Sequence, residues 1–213
     1  MSKEQRKALE NVVGLGISKD FYLAGGTALL IRYGHRFSED FDFFSFPQMS
    51  FDSFSLVRQI DKLSSVKWIY QSKDTLIFLT QGIKFSFFEY RYPLLEEPEK
   101  DKELGIFIAR DKDIACMKAI AIAQRGSKKD FYDLWFLMKK YKWDLKELEK
   151  LIKRKYTNIE FSIIVKSLVY FEDAREEVYE DIEPYWEEVE KFFKRKVKEY
   201  LGDLRIKRRK KRK

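Results

Sequence analysis

The chain has 213 residues, of which 45% are hydrophobic, 37% charged and 16% aromatic; disordered chains lack that aromatic content and membrane chains lack that charge. One cysteine excludes a disulfide framework and a cysteine-rich zinc module, and one histidine excludes most histidine-built zinc sites and argues against a Ser/His triad. Against 35 acidic residues stand 43 basic ones, a formal charge of +8, and residues 205–213 hold eight basic residues and no acid, so the body of the chain is formally neutral.

The first ten residues lack the apolar core of a signal peptide, and helical spacing begins at 3–13. A short apolar run at 21–24 ends in Gly25-Gly26 and reads as a strand followed by a tight turn, with a helix over 27–33. Residues 41–46 alternate Asp and Phe and read as a strand that Pro47 ends. A helix is expected at 54–63, then strands at 66–71, 75–80 and 83–90, with Gln81-Gly82 as a hairpin turn. A further strand is expected at 104–109. From there the pattern is helical: 113–124, 128–141, 145–155, 161–171 and a long charged helix from 185 to about 204. The apolar stretches at 114–123 and 161–171 are too short to span a membrane and are broken by Lys118 and Lys166. A soluble, cytoplasmic protein is expected, with strands first and helices afterwards: an α+β fold. The divisions expected are an α/β core over 1–110, a helical region over 111–204 and a disordered basic tail over 205–213. Such a tail reads as a frayed, solubilising end or as a contact for a polyanion.

The chemistry concentrates in residues 21–46. On a strand, residues two apart face the same way, so Asp40 and Asp42 would stand about 6–7 Å apart, close enough to share divalent cations, while Phe41 and Phe43 turn to a core. A solvated strand face carrying two acids is the plainer reading. Gly25-Gly26 would let backbone N–H groups approach a phosphate at a helix N-terminus, or would simply make a turn. The Thr27 hydroxyl can add a donor or cap that helix. Arg36 can bind phosphate or pair with Asp40, and Ser38 can contact phosphate or cap a turn.

In combination, Gly25-Gly26-Thr27 followed by His35-Arg36-x-Ser38-x-Asp40-x-Asp42-Phe43-Phe44 resembles the nucleotidyltransferase family of the AbiEii/AbiGii abortive-infection toxins. The resemblance implies a DNA polymerase β-like nucleotidyltransferase fold with a C-terminal helical region. It implies that Gly25 and Gly26 hold a nucleoside triphosphate (NTP), that Asp40 and Asp42 hold Mg2+ or Mn2+, and that a cognate antitoxin is a partner. The match extends into residues 114–137, where Lys118, Arg125, Lys129-Asp130 and Asp133 follow the family's pattern on two helices.

Lys118 also stands out without the resemblance. Its helical neighbours Ile114, Ala115, Ala121 and Ile122 are apolar, so its amine either snorkels to water or faces something negative. The resemblance favours a role at the triphosphate. Asp130 fits a capping box with Ser127 as N-cap, and the resemblance makes it, more than Asp133, a base or positioner for the acceptor hydroxyl. Cys116 is expected to be a buried helix residue. One departure stands out. Polymerase β-like enzymes usually carry a third carboxylate on a neighbouring strand, but here that strand has Ser86 near its centre and its only acid is Glu89, on the other face.

The expected activity is transfer of a nucleoside monophosphate from NTP to an acceptor hydroxyl, and the resemblance implies RNA, the 3′ end of tRNA in particular, as the acceptor. Two alternatives stand beside it: a small-molecule nucleotidyltransferase of the antibiotic-modifying kind, and a catalytically degenerate module that binds a nucleotide or a protein.

Overall fold

Alternation of Asp with Phe makes β2 (Phe41–Ser45) a strand with two chemically different faces. The computed structural model describes residues 1–210 and divides the chain into two compact units, Met1–Arg110 and Asp111–Lys213. In the first, β2 lies at the middle of a seven-stranded mixed sheet with order β3-β4-β5-β2-β1-β7-β6. β1 (Phe21–Ala24) runs antiparallel to β2 and β5 (Ile83–Phe88) runs parallel to it. β3 (Lys67–Gln71) and β4 (Thr75–Thr80) extend the sheet beyond β5, and β6 (Glu99–Asp101) and β7 (Ile106–Ile108) extend it beyond β1.

The apolar face carries Phe21, Leu23, Phe41, Phe43, Phe78, Phe85 and Phe87, all buried. Parallel in-register pairing of β2 with β5 stacks Phe41 on Phe85 at 4.9 Å and Phe43 on Phe87 at 5.1 Å. Each such pair adds about 0.5–1.5 kcal/mol beyond the burial of its area. Of the helices of this unit, α1 (Lys3–Gly14) opens with a capping box between Ser2 and Gln5, α2 (Gly25–Tyr33) packs on β1 and β2, and α3 (Ser53–Ile60) packs on β4. Gln81 and Gly82 both have positive φ (53° and 77°), as the turn of the β4–β5 hairpin requires.

The second unit is helical: α4 (Asp111–Arg125), α5 (Lys128–Lys140), α6 (Leu145–Lys155), α7 (Phe161–Ser167), α8 (Glu172–Glu176) and α9 (Trp186–Lys210). Phe131 anchors an aromatic core, with ring centroids of Phe171, Trp186 and Phe193 at 5.1, 5.9 and 5.7 Å. A fully buried ion pair, Lys155 Nζ to Asp113 at 2.6 Å, ties α6 to α4. Burial pushes the neighbouring Cys116 thiol up to about 12, so it is protonated and unreactive. None of the helices among the described residues is long and apolar enough to cross a membrane.

Several boundaries differ from expectation for physical reasons. α2 begins at the glycines themselves, which form its first turn instead of preceding it. The expected helix over 161–171 ends at Ser167, whose hydroxyl bonds back to the Ile163 carbonyl at 3.1 Å, and a separate helix follows. β6 is an edge strand of charged residues, invisible to hydrophobic patterning, and charge on an edge discourages pairing with another chain. α9 continues through residues 205–210 of the expected disordered tail, since Lys and Arg are good helix formers and suit the negative end of a helix dipole. Residues 211–213 of that tail lie outside the described residues.

Within α9, Glu190 accepts two hydrogen bonds from Arg175 (2.8 and 2.7 Å) and one from Lys194 (3.0 Å), chiefly the first of which hold its carboxyl down at about 2 against an ordinary 4.5. A depressed carboxyl stabilises the fold above its ordinary value, and that stabilisation is lost as pH falls from 4.5 toward 2. Glu190→Gln is therefore expected to melt below the wild type at pH 7 and to converge on it near pH 2, as thermal melts across that range would show.

Candidate active site

On the face of the sheet opposite Phe41 and Phe43, Asp42 is in register with Ala24 of β1 and Ser86 of β5. Ala24 is the N-cap of α2, so the strand that carries the acid begins beside the start of the helix. Gly25 takes φ +72°, where a side chain would be strained, and a Cβ there would sit 3.2 Å from Asp42 Oδ2. A Cβ on Gly26 would collide with the Arg36 guanidinium and lie 3.0 Å from Ser38 Oγ. The bare backbone of α2's first turn is thus ringed by a carboxylate on one side and by a guanidinium and a hydroxyl on the other.

The loop that brings Arg36 and Ser38 here is held from three directions. The Thr27 and Ser38 hydroxyls are 2.8 Å apart, and the Thr27 hydroxyl donates to the Asp40 carbonyl. Arg36 is buried and donates from Nη1 to the Phe37 carbonyl at 2.7 Å. From α1, the Gln5 side-chain amide donates to the Ser38 and Glu39 carbonyls (2.8 and 3.2 Å). The positive end of the α2 dipole and the Arg36 cation converge on one spot, an electrostatic setting for phosphate oxygens.

Asp40 lies just before β2, and its Oδ2 meets Lys84 Nζ at 2.5 Å. The two residues line a cavity of about 460 Å³ with Gln5, Phe37 and Gly82. Thus Gly25, Gly26, Thr27, Arg36, Ser38, Asp40 and Asp42 all lie in one stretch of the first unit. Glu89 is not with them. It follows the end of β5 and is bound by Arg91 through Nε and Nη2 at 3.1 and 2.7 Å. Among the described residues, no group of three or more His, Cys, Asp or Glu is placed to hold a metal ion. Sequence reasoning missed Gln5 and Lys84. The polar alternation Lys84-x-Ser86 on a strand otherwise rich in Phe was the available signal.

The remaining residues assemble in the helical unit. Lys118 Nζ lies 2.8 Å from Asp130 Oδ1 and 2.7 Å from Asp133 Oδ2, and Arg125 Nε lies 2.7 Å from Asp130 Oδ2. Both acids are fully buried. Burial alone would raise the Asp130 carboxyl, but Lys118 and Arg125 outweigh it and hold it below the ordinary carboxylate range. An acid so held is a weak base. The expected capping box at Ser127 does not form. Instead Glu177 accepts from the Ser127 hydroxyl (2.9 Å) and the Lys128 backbone N–H (2.7 Å), so the cap of α5 comes from a distant carboxylate.

Comparison with known proteins adds a family. The profile of the nucleotidyl transferase AbiEii toxin family, a type IV toxin–antitoxin system, matches residues 8–102 and 93–204. An uncharacterized protein of Aquifex aeolicus (strain VF5), aq_aa25, is 84% identical over 201 residues, which is 94% of this chain and 98% of that protein. A candidate nucleotidyltransferase from H. pylori has a similar fold, with a TM-score of 0.52 and 18% identity over 96% of this chain and 99% of its own. JHP933 from Helicobacter pylori has a TM-score of 0.51, also at 18% identity, over 98% of this chain and 99% of its own.

Proposed function

Because the chain belongs to the AbiEii nucleotidyl transferase toxin family, we propose that it transfers a nucleoside monophosphate from NTP to the 3′ hydroxyl of tRNA, with a cognate antitoxin as its partner. The observation that carries this reading is the meeting of Asp42 Oδ2 with the side-chain-free first turn of α2, beside Arg36 and Ser38.

Asp40 and Asp42 offer hard oxygen ligands, and no side chain at Gly25 stands between Asp42 Oδ2 and the first turn of α2. That donor set fits Mg2+ or Mn2+ bound by one or two carboxylates together with substrate phosphates. When bound, such a cation would supply Lewis-acid polarisation of the phosphoryl oxygens. The chain's own groups do the rest. The α2 backbone N–H groups, Ser38 and Arg36 hold and orient the triphosphate, while the Thr27 hydroxyl holds the Asp40 carbonyl. The acceptor oxygen forms a bond to the α-phosphorus, the bond from that phosphorus to the α,β-bridging oxygen breaks, and pyrophosphate leaves with the electron pair. The hydroxyl proton passes to water, and Asp40 aims the attack. In the helical unit, Asp130 and Asp133 act by holding Lys118 in place.

The test uses α- and γ-labelled NTPs with tRNA and with a panel of small hydroxylated acceptors. The α label should appear at the tRNA 3′ end and the γ label in pyrophosphate. Label confined to a small acceptor would support the antibiotic-type alternative, which the formally neutral body of the chain favours. No transfer to any acceptor would support the degenerate one. Gly26→Ala should lower kcat/KM for transfer by about 10²-fold, the scale of a 1 Å misplacement, because the new methyl displaces the Arg36 guanidinium.

The basic segment supplies a separate grip for RNA. Binding of tRNA should weaken with salt with a slope of about −0.7 to −0.9 per neutralised phosphate. Deleting residues 205–213 should weaken binding and flatten that slope.

A further inference from the structure

Beside the place of the absent third carboxylate, at Ser86, stands a lysine. Ser86 stands in register with Asp42, and two residues earlier on the same face of β5 stands Lys84, ion-paired with Asp40 at 2.5 Å. Both side chains are partly exposed, 38% and 41%, so the pair lies where a ligand reaches it. A partly exposed pair contributes only about 0–1 kcal/mol to stability, which gives a folding role little weight. Charge gives the lysine a role. Three carboxylates with two divalent cations, and two carboxylates with one lysine and one divalent cation, arrive at the same net charge opposite the triphosphate. Lys84 also lies on the flank of Asp40 that opens into the cavity with Phe37 and Gly82.

We propose that Lys84 takes the place of the second cation: the site holds one divalent ion per chain, carried in with the triphosphate, and the Lys84 ammonium is the fixed positive charge beside Asp40. This rests on the nucleotidyltransferase reading above. It makes Lys84 a residue of the site that neither the glycine turn nor the Asp-x-Asp motif contains. The ammonium stays put whether or not nucleotide is bound, so the site needs one metal-binding event instead of two.

Native mass spectrometry of the full chain with Mn2+ and a non-hydrolysable NTP analogue counts the ions directly. The wild type should retain one Mn2+ with each nucleotide. Lys84→Asp, which restores a third acid, should retain two. Lys84→Met should retain one, melt like the wild type and transfer about 10²- to 10³-fold more slowly, the scale of losing one preorganised donor at a developing charge. A wild-type count of two or none, a Lys84→Asp count of one, or undiminished transfer by Lys84→Met overturns the proposal. The counts need no turnover. A chain that retains one Mn2+ but transfers to no acceptor would sink the proposed reaction and leave the role of Lys84 standing.

Discussion

Asp42→Asn is expected to abolish nucleotide transfer, lowering kcat/KM by about 10³-fold or more, equivalent to about 4 kcal/mol of transition-state stabilisation, while the melt moves little. The substitution keeps the volume and removes the charge. Its backbone ladder to β1 and β5 is unaffected, and its neighbours Phe41 and Phe43 remain stacked on the opposite face. The lost carboxylate is the one closest to the α2 turn. An asparagine there cannot ligate a hard cation as strongly or complement the charge of a metal-bound triphosphate. Steady-state kinetics with labelled NTP, read beside a thermal melt, separates this loss from unfolding. A variant that retained a tenth of the activity would rule out Asp42 as an essential ligand.

The largest effect on stability is expected at Lys118. Its ammonium lies between two fully buried carboxylates, and Lys118→Met leaves both with one fewer cation. Breaking a buried pair from one side costs about 3–5 kcal/mol, because the desolvated charge that remains is uncompensated. Hydrogen exchange of the α4 and α5 amides should therefore speed up strongly in Lys118→Met. Adding Asp133→Asn to the same chain should recover part of the loss, giving a coupling of about 0.5–3 kcal/mol in the double-mutant cycle. Purely additive effects would mean that Lys118 and Asp133 do not depend on one another.

The site was readable where local chemistry and strand period coincide. Alternating Asp and Phe placed Asp42 on one face and Phe41 and Phe43 on the other, and the two glycines marked where a backbone had to stay bare. Gln81-Gly82 fixed the β4–β5 register through its turn. What escaped was tertiary in origin. Nothing local says that Glu177 caps α5 or that Gln5, some thirty residues away, holds the Ser38 loop. Nor does anything local say that Lys118 is clasped by two acids. β6 has no hydrophobic signature because its place at the sheet edge requires none. Lys84 was visible as a lysine on a strand, but its meaning comes from the parallel pairing that sets it beside Asp40.

The central claim is that the two aspartates and the glycine turn form a single metal–triphosphate site. Anomalous scattering from crystals grown with Mn2+ and a non-hydrolysable NTP analogue tests it directly. A Mn2+ peak bridging the Asp42 carboxylate and the analogue's phosphates, with those phosphates on the first turn of α2, is the predicted result. Nucleotide bound elsewhere on the chain, or Mn2+ away from Asp40 and Asp42, would contradict it.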